Sequence, residues 1–501
     1  MEFSWLLFLI SLYTCFLIIT LLTITKPKLK LPPGPPFIPI LTTLQWIRTP
    51  LSDFEKVLCK LSSQYGPIIS VKILQRDQIF ISSHDLAHKA LITHGTIFAD
   101  RPPPPVSSRH FSANQHNINT ASYGPLWRLL RRNISSEIFH PSRVRSYGHA
   151  RKWVLDILKR KLSENSELGK SVQVMDHFQY AMFCLLLFMA FGDKLEDKII
   201  RDIEKVQRDL LLGLSRFNLL NLFPKLSKIL FKKRWELLDE IRQNQERVLL
   251  PLIQSRKEKT EQDKKNVAYV DSLLTMTLPD EGGRKLTDLE IIGLCSEFLN
   301  AGTDTTSTAL QWIMANLVKH QDIQMKLFDE IKEAEVSNDG EIKEEDLQKL
   351  PYLKAVVLEG LRRHPPGHFV LPHAVTEDVQ LDEYVVPKGT TVNFMVANIG
   401  LNPKVWENPM EFKPERFLSG EGFDITGNRE IKMMPFGAGR RICPGLGLAM
   451  LHLEYFVANL VREFEWTAEE GSDVDLSEKP EFTVVMKYPL RALISPRQKI
   501  Y

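Results

Sequence analysis

The chain has 501 residues, 44% of them hydrophobic and 25% charged, with 64 Lys+Arg against 61 Asp+Glu for a net charge of +3. That length buries a large core and excludes general disorder, and the near balance of charge excludes the broad basic surface that nucleic acid requires, so no nucleic acid is expected as a partner. Five cysteines, Cys15, Cys59, Cys184, Cys295 and Cys443, are too scattered and odd in number for a disulfide framework or a clustered zinc site, and they fit a reducing compartment.

From Phe3 to Thr25 no residue is charged. As a helix this run would be roughly 34 Å long, enough for a hydrocarbon core of about 30 Å. A cleaved signal peptide is the competing reading. The run exceeds the ~7–15 apolar residues of such peptides, no small-x-small site follows it, and Glu2 stands where a basic cluster belongs. A transmembrane anchor over 1–25 is therefore predicted. Lys26, Lys28 and Lys30 follow and place the remainder on the cytosolic side. Leu31-Pro32-Pro33-Gly34-Pro35-Pro36 completes a basic, proline-rich hinge over 26–36, read as a stiff non-helical spacer. Residues 37–501 contain no further linker or repeat and are read as one large domain.

Helical spacing of apolar residues appears around Trp153–Leu162, Val174–Phe191, Ile199–Leu214, Arg234–Ile253, Leu289–His320, Met325–Ala334 and Leu350–Arg363. Strand-like runs appear at Ile68–Ile73, Gln78–Ser82, Thr391–Ala397 and Thr483–Met486. The predicted class is mainly α with small β-sheets.

Thr287 and Glu290 form a capping-box pattern that opens the long helix before His320. Midway along it, Ala301-Gly302-Thr303-Asp304-Thr305-Thr306-Ser307-Thr308 places a glycine, a carboxylate and hydroxyls in a helix interior, against local propensity. Rules that break inside a well-specified element point to a functional site, with a solvated face or a packing kink as the alternative. Glu359 and Arg362 share a helix face, which on its own is an ordinary surface ion pair.

Met433 to Gly445 offers what an iron-ligating thiolate needs: glycines that let a loop expose Cys443, a Pro444 able to open a helix at its first position, and the charge of Arg441 two residues before the sulfur. A helix beginning at Pro444 would lower the thiol pKa. A dinucleotide loop fails because Ile442 occupies the place of its third glycine. A free structural cysteine is the other alternative.

Phe436-Gly437-Ala438-Gly439-Arg440-Arg441-Ile442-Cys443-Pro444-Gly445 resembles the haem-binding loop of cytochrome P-450 enzymes, FxxGxRxCxG, at every defined position. Ala301-Gly302-Thr303-Asp304-Thr305 resembles the family's oxygen-activating AGx(D/E)T, Glu359-Gly360-Leu361-Arg362 its ExxR, and Pro414-Glu415-Arg416-Phe417 its PERF segment. Trp127-Arg128-Leu129-Leu130-Arg131 is similar to its WxxxR. Phe98-Ala99-Asp100-Arg101-Pro102 and Ser122–Arg128 look like a plant A-type enzyme, nearest to the plant family numbered eighty-nine.

The resemblance implies a cytochrome P-450 fold with a single N-terminal transmembrane helix, in the endoplasmic reticulum membrane, with a cytosolic catalytic domain. It implies haem b as cofactor, Cys443 as its axial iron ligand, and Phe436, Gly439 and Gly445 as parts of the binding loop. Trp127, Arg131, His373 and Arg441 would hold the haem propionates, and Glu359, Arg362 and Arg416 would form a structural lock. Asp304 and Thr305 would be catalytic, Thr305 orienting and Asp304 delivering protons. The implied activity is a monooxygenase that inserts one oxygen atom from O2 into an apolar small molecule, with electrons from NADPH through a reductase that Arg132 and Arg440 would help dock. A reductase-independent, peroxide-rearranging haem enzyme and a membrane-anchored haem- or ligand-binding protein without turnover are the alternatives. Variable contact regions would fall near 103–119, 210–223, 298–301, 368–372 and 482–485, with Phe298, Phe369, Val370 and Phe482 suggesting an apolar pocket.

Overall fold

The computed structural model describes residues 30–36 and 51–497, apart from 74–75, 114, 167–168, 214–216, 218–219, 222–223, 261, 335–340, 419–421 and 472. The predicted anchor lies outside the described residues, as does the start of the hinge. Among the described residues one helix is long and apolar enough to cross a membrane, Val174–Phe191, and 89% of it is buried inside the protein, which makes it a core helix.

The main helices are α1 (Leu51–Tyr65), α2 (Pro125–Glu137), α3 (Gly148–Ser166), α4 (Val174–Phe191), α5 (Asp197–Gly213), α6 (Lys232–Glu258), α7 (Asp288–Lys319), α8 (Pro351–Arg363) and α9 (Leu446–Glu463). Sequence α4 is apolar on every side, so it must be surrounded, and it sits at the centre of the main core with α3 and α7 against it. It stops at Gly192, whose φ of 76° lets its N–H turn back to the Phe188 carbonyl at 2.7 Å.

Helix α7 opens on the predicted capping box. The Glu290 N–H donates to Thr287 Oγ1 at 3.3 Å while the Thr287 N–H donates to Glu290 Oε2 at 2.7 Å. Its interior Gly302 has a packing reason: a Cβ there would lie 2.8 Å from Leu186 Cδ1 of α4. The ~1 kcal/mol that glycine costs a helix is offset by the close crossing of the two central helices.

A four-stranded sheet flanks the helices in the order β1 (Ile68–Ile73), β2 (Arg76–Ile81), β5 (Thr391–Phe394), β4 (His373–Ala374). β1 and β4 run antiparallel to their neighbours, while β2 and β5 are parallel, with Gln78 opposite Thr391 and Ile81 opposite Phe394. A smaller sheet joins β6 (Phe464–Thr467), β7 (Arg491–Pro496) and β3 (Val172–Gln173). β5 ends at Phe394, three residues earlier than the alternation through Ala397 predicts. Its partner ends at Ile81, and the chain then turns into a short helix, Val396–Gly400.

The proline segment lies against the domain that follows it. The Pro33 carbonyl accepts from the Ser70 N–H at 2.8 Å, the Lys30 carbonyl accepts from the Val385 N–H at 2.9 Å, and Lys30 pairs with Glu383. Residues 30–34 therefore cover the open edge of β1.

Candidate functional site

The cysteine segment closes on itself, with the Cys443 N–H donating to the Phe436 carbonyl at 2.9 Å. Gly439 sits at φ 69°, and a Cβ there would stand 2.1 Å from the Leu91 carbonyl oxygen, so no side chain fits. A short 3-10 turn, Gly439–Arg441, leads to Cys443. Helix α9 begins at Leu446 with Gly445 at its N-cap, two residues later than the sequence suggests, because Gly445 (φ −89°, ψ 12°) still belongs to the turn. The expected fall in thiol pKa is also reversed. Burial pushes the Cys443 thiol up, and the Gly445 N–H and the charge of Arg131 only oppose this. A cation at the sulfur is what would make it a thiolate.

Around the loop lies a group of nitrogen donors. Trp127 Nε1 is buried with no acceptor, and burial lowers the Arg131 pKa while that side chain makes no hydrogen bond or ion pair among the described residues. The Arg441 guanidinium stacks 4.4 Å over the Trp127 ring, and three of its five N–H donors go to backbone: Nε to Ala99 O at 2.7 Å, Nη1 to Ile118 O at 3.2 Å and Nη2 to Ala121 O at 2.7 Å. His373 is buried and donates Nδ1–H to the Phe98 carbonyl at 2.6 Å. Burial, with the charges of Arg101 and Arg441, pushes it down to about 3, so the ring is neutral and Nε2 is an acceptor. An anionic carboxylate beside Nε2 needs the second proton that these forces oppose. Orphaned Trp127 and unpaired Arg131, next to a cysteine on a turn, fit a bound dianionic group such as haem.

On α7, Ala301 is exposed and Gly302, Asp304 and Thr305 are part-exposed within an otherwise buried stretch. The Thr305 hydroxyl donates to the Ala301 carbonyl at 2.7 Å. Asp304 faces α4 and α5, where Gln179 Nε2 donates to its Oδ1 at 3.2 Å and Arg208 lies 4.0 Å away. The two side chains do not meet, because consecutive helix residues point about 100° apart. Burial raises the Asp304 pKa, opposed by Arg208 and Gln179.

Glu359, Arg362 and Arg416 do come together. Arg362 grips Glu359 with Nε at 2.7 Å and Nη2 at 2.8 Å, both side chains 0% exposed, while Arg416 Nε at 3.1 Å and the Lys413 N–H at 2.8 Å complete the carboxylate's donors. Arg362 also donates to the carbonyls of Gly400, Pro409 and Glu411, pinning the segment that leads to the cysteine loop.

Two of the four residues expected to line a pocket turn elsewhere. Phe298 packs into the core against Tyr269 and Phe139, at centroid distances of 5.4 and 6.2 Å, and Phe369 packs against Phe54 and Phe80 beneath β1 and β2. Both are drawn into aromatic clusters that spacing alone does not reveal. Val370 lies beside Gly437 of the cysteine segment, and Phe482 is exposed. Of the two arginines expected to dock a reductase, Arg132 is exposed and Arg440 donates to the Tyr123 hydroxyl at 2.9 Å. The sequence reading missed Arg101, Glu297, Gln179 and Arg208. Glu297 was findable, since it lies seven residues before Asp304, two helical turns away on nearly the same face.

Comparison with known proteins gives one consistent result. The family described as Cytochrome P-450 matches residues 32–494. Cytochrome P-450 89A9 of Arabidopsis thaliana is 48% identical over 513 residues, covering 100% of both chains. Geraniol 8-hydroxylase of Catharanthus roseus is 33% identical over 504 residues, covering 98% of each. Among solved structures, a zebra fish cytochrome P-450 with progesterone superposes with a TM-score of 0.74 at 25% identity, covering 88% of this chain and 99% of that one.

Proposed function

The chain belongs to the cytochrome P-450 family, as a plant member of family eighty-nine and an oxidoreductase of the monooxygenase class, and from this premise we propose that it inserts one oxygen atom from O2 into an apolar small molecule, by hydroxylation or epoxidation. Electrons come from NADPH through a membrane-bound reductase, and haem b is the cofactor. An anchor over residues 1–25 holds the catalytic domain on the cytosolic face of the endoplasmic reticulum. The observation that carries this reading is the cysteine loop, with its Gly445 N–H directed at Cys443 and the charge of Arg131 beside it.

Haem held through Cys443 supplies oxygen activation. The residues around it have separable tasks. Trp127 Nε1 and Arg131 would take the propionates, since both are without acceptors among the described residues. A propionate beside His373 would add the negative charge that its imidazolium lacks. Thr305 keeps its hydroxyl proton on the Ala301 carbonyl, which leaves its oxygen free to accept from a water in the part-exposed stretch. Asp304, which burial shifts toward the protonated form against Arg208 and Gln179, would exchange a proton on the α5 side, and water must link it to the Thr305 side.

The test is Thr305→Ala in the haem-loaded protein with reductase, after an optical titration with apolar plant metabolites has identified a ligand. Haem content should be unchanged while the share of NADPH electrons found in product falls and hydrogen peroxide rises. Equal coupling in variant and parent would sink the assignment of Thr305. Failure of the parent to consume NADPH with any ligand would sink the monooxygenase proposal for this chain.

A further inference from the structure

Two consecutive residues in the loop between Ser112 and Gly124, Ile118 and Asn119, are held from both sides. On its N–H side, Ile118 donates to Glu297 Oε2 at 2.9 Å and Asn119 donates to Glu297 Oε1 at 2.7 Å. On its carbonyl side, Ile118 accepts from Arg441 Nη1 at 3.2 Å and Asn119 accepts from Arg101 Nε at 2.8 Å. Arg101 Nη1 continues to the carbonyls of Leu371 at 2.8 Å and Pro372 at 2.9 Å. Glu297 therefore ties these two residues to α7, while Arg101 ties them to the segment before β4 and Arg441 to the cysteine segment.

We infer that Glu297 is a positioning residue of the pocket: its carboxylate fixes the 112–124 loop against α7, and through that loop sets which ligands fit beside the haem. The inference concerns the same site as the proposed monooxygenase activity and rests on that reading only for the identity of the ligands. A part-exposed carboxylate accepting two N–H groups, one on each oxygen, makes the strong, charge-assisted form of the contact, and no neutral side chain of this shape accepts both in this arrangement.

Among the described residues the charged and titratable groups facing Glu297 are few. Arg101 attracts it, Arg441 stands across the clamped peptide, Tyr269 faces it from the helix Tyr269–Thr275, and Asp100 adjoins Arg101. His116, on the same loop, is bound instead to Glu281 and Glu290. Burial pushes the Glu297 carboxyl up to about 7, against its two N–H donors and Arg101. A raised pKa means that the clamp is complete above this value and weakens as the carboxyl gains its proton below it.

The test is amide hydrogen exchange of the haem-loaded protein, parent against Glu297→Gln and Glu297→Asp, at about pH 6 and about pH 8, with phenylimidazole and imidazole as ligand probes. In Glu297→Gln the 112–124 amides should exchange at least about tenfold faster than in the parent at the higher pH. That gap should close at the lower pH, which isolates Glu297 from His116. Phenylimidazole should bind at least about fivefold more weakly while imidazole, the smaller probe, binds as before. Equal loop exchange in parent and Glu297→Gln with haem retained, or a gap that ignores pH, overturns the inference. Should Glu297→Gln fail to take up haem, Glu297→Asp and the pH profile of the parent loop decide, since a flat parent profile also overturns it. None of these readouts requires turnover, so a protein that shows the clamp but makes no product would refute the proposed activity and leave the clamp standing.

Discussion

Replacing Glu359 and Arg362 by leucine, singly and together, measures what the buried lock contributes. Glu359→Leu strands a guanidinium that is 0% exposed, leaving it only the carbonyls of Gly400, Pro409 and Glu411, and it removes the acceptor of Arg416 Nε and of the Lys413 N–H. An uncompensated buried charge costs about 3–5 kcal/mol, or roughly two to four orders of magnitude in the folding equilibrium. Arg362→Leu should cost a similar amount, because Glu359 keeps Arg416 while three carbonyls lose their donor. The double variant removes both charges at once. Its cost should therefore stay near that of either single variant, about 3–5 kcal/mol, against the ~6–10 that additivity requires. Urea unfolding of the haem-loaded protein, followed by tryptophan fluorescence and by loss of the haem band, provides the numbers. An additive double variant, or a single variant that costs less than about 1 kcal/mol, would refute the argument that charge burial dominates here.

Two further perturbations test other parts of the structure. Gly439→Ala forces a side chain onto a φ of 69° and to within 2.1 Å of the Leu91 carbonyl, so it should displace the cysteine loop and abolish the optical signature of thiolate-ligated haem, with the helical circular dichroism retained. Burial pushes His364 down to about 4 and His373 and His452 each down to about 3, so the unfolded chain binds protons below about 6.5 that the folded chain refuses. Stability should fall as pH drops from about 6.5 toward 3, by up to about 1.4 kcal/mol per pH unit for each fully titrating ring. His452→Gln should flatten that slope in denaturation measured across the window, and an unchanged slope would show that His452 accepts its proton without unfolding.

What could be foreseen from the chain follows from how local the cause is. Helix α4 is legible because apolar residues occupy all its sides, and the start of α7 because Thr287 and Glu290 cap it within one turn. The Glu359–Arg362 pair is local in spacing, but its third partner, Arg416, arrives through a 3-10 turn, Pro414–Phe417, whose approach no periodicity records. Helix α1 has no counterpart in the sequence reading, α2 enters it only through the motif Trp127 to Arg131, and α9 only through its opening at Pro444. The direction of a side chain was the least legible property. Asp304 turns to Gln179 and Arg208, Phe298 to Tyr269, and Arg441 to three carbonyls, each because of a residue more than 20 positions away.

The segment from Lys30 to Gly34, laid along the edge of β1, also has a mechanical consequence. A load applied at residue 30 reaches the four-stranded sheet through the Pro33–Ser70 backbone hydrogen bond, and reaches the separate two-stranded hairpin of 379–386 through the backbone hydrogen bond at Val385 and the ion pair at Glu383. The body cannot swivel about this entry point as it would on a loose tether. The course of the chain at Lys30 is thereby coupled to the direction in which the sheet, and the loop clamped by Glu297, faces.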